Sequence, residues 1–191
     1  MKFQPGRPPR VKWIRDLHER HAPSEAALDL VWTHCRIVAE IAGQFAPGDS
    51  LVQAGALLHD IGVYRLAPGE SYLRHGILGH ELLTEAGVPE ELARFCSHHT
   101  GAGLTRADIE TQGLPLPPGD YLAETPEEEI VMYADKFHSK TTPPRFVTAS
   151  SYAVSVARFG PAPAARFAAL VARYGEPALA GLATRYGHEL R

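Results

Sequence analysis

Apolar residues recur at three- and four-residue steps from Val11 to about His21 and again from Ser24 to Phe45, which predicts two amphipathic helices. In the second, Leu30, His34, Val38, Ile41 and Phe45 share one stripe, so His34 points inward. Pro47 and Gly48 break that helix. Ser50 with Gln53 then has the spacing of a capping box before a further apolar helix, Leu51 to Asp60, stopped by Gly62. His59 and Asp60 are thereby placed in the last turn of a buried helix. After a turn at Pro68-Gly69, helices are predicted from about Tyr72 to Ala86, ending at Gly87, and from Pro89 to about His98.

Gly101 to Thr125 carries repeated Gly and Pro, which forbids a long regular element except a turn of helix near Thr105 to Glu110; this loop either covers a site as a lid or connects two helices. Thr125-Pro126-Glu127-Glu128 combines a capping box with Pro at the first helical position. It opens a helix through Ile130, Ala134 and Phe137 to about Ser139, with Asp135 beside Val131 and His138. Pro143-Pro144 ends this element. The Ala-rich remainder, from about Thr148 to His188, breaks at Gly160-Pro161 and Gly175 and fits two or three helices. No run of alternating β-branched residues predicts a strand, so the fold expected is all-α, roughly eight to ten helices in a single domain. That domain spans 1–191, with a motif-bearing core at about 24–140 and a helical extension at about 148–191. The extension is expected to pack or to form a homodimer contact rather than to do chemistry.

Composition narrows the function. A chain of 191 residues, 45% apolar, buries a proper core without disulfides or structural metal, so any metal is functional. Nineteen basic against 22 acidic residues, net −3, lack the basic footprint of a nucleic-acid binder, and no stable nucleic-acid binding is expected. No window approaches the roughly 18 apolar residues of a membrane span, and the N-terminal MKFQPGRPPRVKW has no apolar leader, so a cytoplasmic location is expected. Cys35 and Cys96 fall in apolar helical patterns and read as small hydrophobes. Histidine is the unusual feature, at ten residues.

The adjacent pair His59-Asp60, inward-facing His34 upstream and Asp135 downstream together offer two imidazoles and two carboxylates. Mixed N and O ligation suits Fe, Mn, Co, Ni or Zn better than Mg or Ca. His34, then L-L-H-D-I-G from Leu57 to Gly62, then Y-A-D from Tyr133 to Asp135, resembles the HD-domain metal-dependent phosphohydrolase superfamily over about Val31 to Lys140. The resemblance implies a helical bundle and names His34, His59, Asp60 and Asp135 as metal ligands. R-H-G-I-L-G-H, Arg74 to His80, and S-H-H-T-G-A-G, from Ser97, resemble segments of HD proteins that hold two metals. They imply His75 and His99, with His98 as a neighbour, and a centre of one or two divalent transition ions bridged by Asp60 and a hydroxide. The nearest resemblance is to small uncharacterised H-D-I-G proteins, and a more distant one to bacterial diadenosine tetraphosphate hydrolases.

The function implied is hydrolysis of a small phosphorylated substrate, a nucleotide or related phosphoester, by a metal-activated hydroxide, with Asp60 and Asp135 as catalytic carboxylates. An HD-type di-iron oxygenase and a non-catalytic nucleotide-binding regulatory module are the alternatives. Val63 stands where the cyclic-dinucleotide and diadenosine tetraphosphate enzymes commonly carry lysine, and the G-Y-P signature of the former is missing after His99. His80-Glu81 opens like a zinc-protease motif, but Thr84 replaces its second histidine, so His80 reads as a helix-surface or supporting residue. His18, His21 and His188 read as solvated helix-end residues and His138 as half-exposed. Lys136, Lys140, Arg65 and Arg74 read as ordinary surface cations that are able to meet a phosphate.

Overall fold

A computed structural model describes residues 9–191; residues 1–8, most of the stretch read for a leader, lie outside them. Ten α-helices form among the described residues: α1 (Val11–His21), α2 (Glu25–Phe45), α3 (Ser50–Leu58), α4 (His75–Glu85), α5 (Glu90–Ser97), α6 (Arg106–Gln112), α7 (Pro126–Asp135), α8 (Ala149–Val156), α9 (Pro161–Tyr174) and α10 (Ala180–Tyr186). None is long and apolar enough to cross a membrane.

The caps explain most boundaries. Ser24 Oγ accepts from Ala27 N (3.2 Å) and opens α2. At α3 the expected Ser50/Gln53 box does not form. Asp49 caps instead, its carboxylate accepting from Leu51 N (2.8 Å) and Val52 N (3.0 Å), because a charged acceptor serves the free N–H groups and the helix dipole together. Gln53 donates to Ala39 O on α2 (3.0 Å). The helix expected from Tyr72 begins with a tight 3-10 turn, Tyr72–Arg74, before α4. α6 carries a reciprocal capping box from Thr105 and Asp108. In front of α7 only half a box forms: Thr125 Oγ1 accepts from Glu128 N (3.2 Å), while Glu128 accepts from Glu124 N and Arg94 Nε (both 2.8 Å).

α7 stops at Asp135, a full turn before the expected Ser139, and the chain becomes extended. β1 (His138–Ser139) pairs antiparallel with β2 (Arg145–Phe146), which pairs parallel with β3 (Glu189–Leu190). Two-residue strands are too short to show a period of two, so the hydrophobic pattern carries no sign of them. This small sheet fastens the end of the chain beside the end of α7.

One apolar cluster runs through the molecule. Ile37, Ile41, Leu58, Phe95 and Val131 are fully buried at its centre, and Phe167 and Leu182 extend it into α9 and α10. Each such side chain contributes about 1.5–3 kcal/mol by leaving water. Leu30 is an exception to the predicted stripe of α2: it is exposed, and the buried face begins at Val31. Gly55 lets α5 approach α3, since a Cβ there would lie 2.3 Å from the Phe95 ring. Tyr133 ties α7 to the extension through its hydroxyl, which donates to Gly175 O (2.6 Å), and its ring, which stacks on Tyr174. Both cysteines are buried and unpaired with each other, and Cys96 Sγ donates to Leu58 O (3.4 Å).

His18 corrects its expected place at a solvated helix end. It is fully buried, with Nε2 2.8 Å from Leu57 O and Nδ1 2.9 Å from Tyr64 Oη. A carbonyl only accepts, so Nε2 carries the proton and the ring stitches α1 to the end of α3. Burial pushes its pKa down from 6.5 to about 4. The unfolded chain therefore takes up a proton that the folded ring refuses, and stability falls as pH drops from 6.5 toward about 4. Urea midpoints measured across that window should lose this slope in His18→Phe, which also loses about 1–3 kcal/mol by stranding the Leu57 carbonyl. An unchanged slope would remove His18 as its source.

Candidate metal centre

The ends of α3, α5 and α7, the middle of α2 and the start of α4 converge on Asp60. His59 is the last residue of the α3 helical path, and Asp60 follows in a non-helical conformation that opens the 3-10 turn Ile61–Arg65. The glycine of the D-I-G run has a packing reason. A Cβ on Gly62 would lie 2.0 Å from His75 O and 2.2 Å from Gly79 N, so this turn crosses α4 backbone to backbone. Gly79 in turn sits against Cys96 of α5, where a Cβ would meet Cβ and Sγ at 3.0 Å. These two glycines bring His75 up to Asp60.

Three imidazoles are oriented by carbonyls of their own turns. His59 Nδ1 donates to Ala56 O (2.7 Å), His75 Nδ1 to Tyr72 O (2.5 Å) and His99 Nδ1 to Phe95 O (3.0 Å). Each Nδ1 must carry the proton, which leaves each Nε2 with its lone pair facing the centre. His75 Nε2 and His99 Nε2 are 2.9 Å apart. Asp60 divides the histidines between its two oxygens. Oδ2 faces His34 Nε2 (3.2 Å) and His59 Nε2 (3.6 Å), while Oδ1 faces His75 Nε2 (3.3 Å) and His99 Nε2 (3.6 Å). Asp135 Oδ1 joins the first set, 3.0 Å from His34 Nε2 and 3.5 Å from His59 Nε2.

All six residues singled out in the sequence, His34, His59, Asp60, His75, His99 and Asp135, thus meet. Two triads, His34/His59/Asp135 and His59/Asp60/His99, place their donor atoms within 4.8 Å of one another. Asp60 Oδ1 is buried and accepts no hydrogen bond, because the nitrogens that face it offer lone pairs. Converging lone pairs and carboxylate oxygens repel one another unless a cation lies among them, so this donor set fits a divalent ion.

Charge is arranged around the centre. Burial alone would raise both carboxyls, but Lys140 and His59 beside Asp60, and Lys136 with His34 and His59 beside Asp135, hold both well below the usual carboxylate range. Burial pushes His99 down to about 3 and lowers His75, so both rings are neutral, as ligands must be. Burial opposes the charged form of His59 too, yet the charge of Asp60 raises its pKa, so its Nε2 takes up a proton unless a cation lies among the donors, and metal binding would release that proton.

Several residues differ from their expected roles. His138 is buried rather than half-exposed: its Nδ1 is 2.9 Å from His34 Nδ1 and its Nε2 2.9 Å from His188 Nδ1. The early stop of α7 turns His138 inward, and β3 carries the chain end to it. Lys136 is buried, donating to Asp135 Oδ2 (2.7 Å) and His99 O (2.9 Å), and Lys140 pairs with Asp60 Oδ2. Residues at charge-rich positions were read as solvated because one-dimensional patterning does not show which exposed-looking face another element covers. Arg65 and Arg74 pair with Glu85 and Glu70, respectively. His98 turns to Glu128 Oε2 (3.3 Å), and His80 bonds Ser97 Oγ and Glu90. The 101–125 segment forms part of a cavity wall through Gly101, Leu104 and Leu114, and the extension adds Tyr152, Val156 and Phe159 to the same wall.

Residues 31–140, more than half of the chain, match the HD domain family. The chain belongs to the HD domain family. It is similar to the tRNA (cytidine(56)-2'-O)-methyltransferase of Picrophilus torridus, 40% identical over 120 residues that make up 61% of this chain and 33% of that protein. It is also similar to an uncharacterized protein of Methanocaldococcus jannaschii, 41% identical over 53% of this chain and 62% of that one. The chain therefore spans a third to somewhat under two thirds of the length of these relatives. The HD domain of the L. monocytogenes phosphodiesterase PgpH, crystallised with cyclic-di-AMP, aligns over 93% of this chain and 99% of that one, with a TM-score of 0.49 and 16% identity.

His34 differs from the other three histidines in that an imidazole, not a carbonyl, orients it. For its Nε2 to offer a lone pair, Nδ1–H must donate to His138 Nδ1, and His138 Nε2–H then donates to His188. Burial and the neighbouring imidazoles hold His138 down to about 2, a neutral acceptor. His138→Phe should weaken metal binding by about 10–100-fold, the usual effect of losing a ligand's hydrogen-bond partner, and His138→Asn should recover part of it. Calorimetric titration of the metal into dialysed protein reads this directly. Equal affinity in all three proteins would show that His138 only fills space.

Proposed function

We propose that this protein is a metal-dependent phosphohydrolase acting on a nucleotide or a related phosphoester. His34, His59, Asp60, His75, His99 and Asp135 would hold one or two divalent transition ions. The observation that carries this reading is Asp60: a fully buried carboxylate with a separate pair of imidazoles on each oxygen, one oxygen accepting no hydrogen bond. A carboxylate so placed would be able to hold an ion through either oxygen, and membership of the HD domain family supports the reading. When bound, such ions supply a water of lowered pKa and a counter-charge for phosphoryl oxygens.

The protein's own groups have distinct tasks. Asp60, completely covered, organises the two imidazole pairs. Asp135, whose side chain is 15% exposed and lines both cavities beside the centre, is the carboxylate that orients water and accepts its proton. Lys136 neutralises the outer oxygen of Asp135, Lys140 neutralises the Asp60 oxygen that also faces His34 and His59, and both border the space where a phosphate would lie. In hydrolysis a bond forms from water oxygen to phosphorus, the bond from phosphorus to the leaving oxygen breaks, and the water proton passes by way of Asp135 to that oxygen. Within this chain we read 1–191 as one domain, the core at 24–140 and the extension at 148–191 closing the cavities together.

Protein purified without chelator should contain iron, manganese, cobalt, nickel or zinc. It should hydrolyse at least one member of a panel of nucleoside mono-, di- and polyphosphates. Asp60→Asn should lose more metal affinity than the about 10–100-fold caused by losing a ligand's neighbour, and turnover with it. Metal-replete protein inert toward the whole panel, or Asp60→Asn with full metal content and full turnover, would overturn the proposal.

A further inference from the structure

Two cavities of opposite character open from the centre. The smaller, about 270 Å³, has Asp60, His75 and His99 at its base and apolar walls from Leu73, Leu104, Leu114, Val156 and Phe159. The larger, about 650 Å³, is lined by Lys140, Arg145 and hydroxyls including Ser139, Thr141 and Ser151, and Asp135 is its one carboxylate side chain. Tyr72, Asp135, Lys136, Lys140 and Tyr152 border both, so a single ligand can enter each from a common middle. Together the two volumes are of the size of small-molecule sites, about 300–1,000 Å³.

The two walls prefer different chemistry. Apart from Lys136 and Lys140, which it shares with the larger cavity at their common middle, the smaller cavity has no cationic side chain, and its walls bury an aromatic or aliphatic group more favourably than an anion. In the larger, Arg191 is paired with Glu189 (2.9 Å), whereas no ion pair among the described residues engages Arg145, which is partly buried on β2. A guanidinium in that position is matched by a phosphate accepting two parallel hydrogen bonds.

Building on the phosphohydrolase reading, we propose that the substrate is a two-armed organic polyphosphate. Its apolar or aromatic arm lies in the smaller cavity, the scissile phosphoryl group at the centre, and a further phosphate in the larger cavity against Arg145 and Lys140. The bond that breaks is the one between the two phosphates. Water oxygen bonds to the inner phosphorus, the bridging oxygen leaves with the outer phosphate and its electron pair, and one water proton goes with it. The products are an organic monophosphate and an inorganic phosphate, each left in its own cavity.

Manganese-loaded protein titrated calorimetrically with three probes tests this. The probes are AMP, which has the organic arm alone, methylenediphosphonate, which has the anionic arm alone, and the non-hydrolysable α,β-methylene analogue of ADP, which has both. The two-armed analogue should bind about tenfold or more tightly than either fragment. Arg145→Gln should weaken the analogue about tenfold more than it weakens AMP, and Arg145→Lys should restore most of that loss. Leu114→Asp should weaken AMP and the analogue more than methylenediphosphonate. Equal binding of AMP and the analogue, or equal effects of Arg145→Gln on both, would overturn the assignment. Because binding is read without turnover, the outcomes separate: this pattern without hydrolysis of ADP or of any other member of the nucleotide panel supports the two-armed site and removes the hydrolytic reading. AMP hydrolysed as fast as ADP, with no differential effect of Arg145→Gln, keeps the hydrolytic reading and removes the two-armed one.

Discussion

The rest of the structure is arranged around one buried carboxylate. Asp60 has no exposed surface, and an ionised carboxylate cannot persist in such a place without strong compensation. The Lys140 ammonium supplies part of it, and four imidazoles from separate stretches of the chain converge on the same carboxylate in an arrangement that fits a divalent cation. Bringing them to one point sets the crossing of α3, α4 and α5. It also requires glycine where backbones touch, which is why Gly62 and Gly79 accompany the histidines in the sequence.

The same constraint shapes the end of the chain. A helix continuing past Asp135 would carry His138 and Lys140 along a helical path, and their present contacts with His34 and Asp60 would be lost. Instead α7 ends, β1 and β2 form, and β3 returns to bring His188 against His138. The extension thereby reaches His34 through two imidazoles, and it supplies walls to both cavities through Tyr152. Packing, ligand orientation and cavity shape are one structural solution here, so a change at the tail reaches the centre without touching it directly.

Much of this is legible in the amino-acid sequence. The helices α1, α2, α5 and α7 were visible because each is long or periodic enough to show an apolar face, and their starts because Ser24 and Thr125 are good caps. His34, His59-Asp60 and Asp135 stand out because imidazoles and carboxylates on or beside inward faces demand a reason, whereas His75 and His99 are named by the resemblance to HD proteins that hold two metals. The shift of the α3 cap to Asp49 and the half-formed box at Glu128 were not legible, since the competing partners, Ala39, Arg94 and Glu124, lie on other elements or outside the motif.

The sequence by itself determined what depends on neighbours along the chain: the helical class, most caps and breaks, and the list of groups able to bind a metal. Tertiary structure alone decided which charged-looking residues are buried. His18, His138, Lys136 and Lys140 look alike in a linear reading, yet each is enclosed by an element distant in sequence and given a partner there. It also decided that Asp60 faces a separate imidazole pair on each oxygen, and that an apolar and a cationic cavity meet beside it. The physical reason is common to all of them. Burial and electrostatic partnership are properties of the space around a side chain, and that space is filled by residues whose distance along the chain carries no record of it.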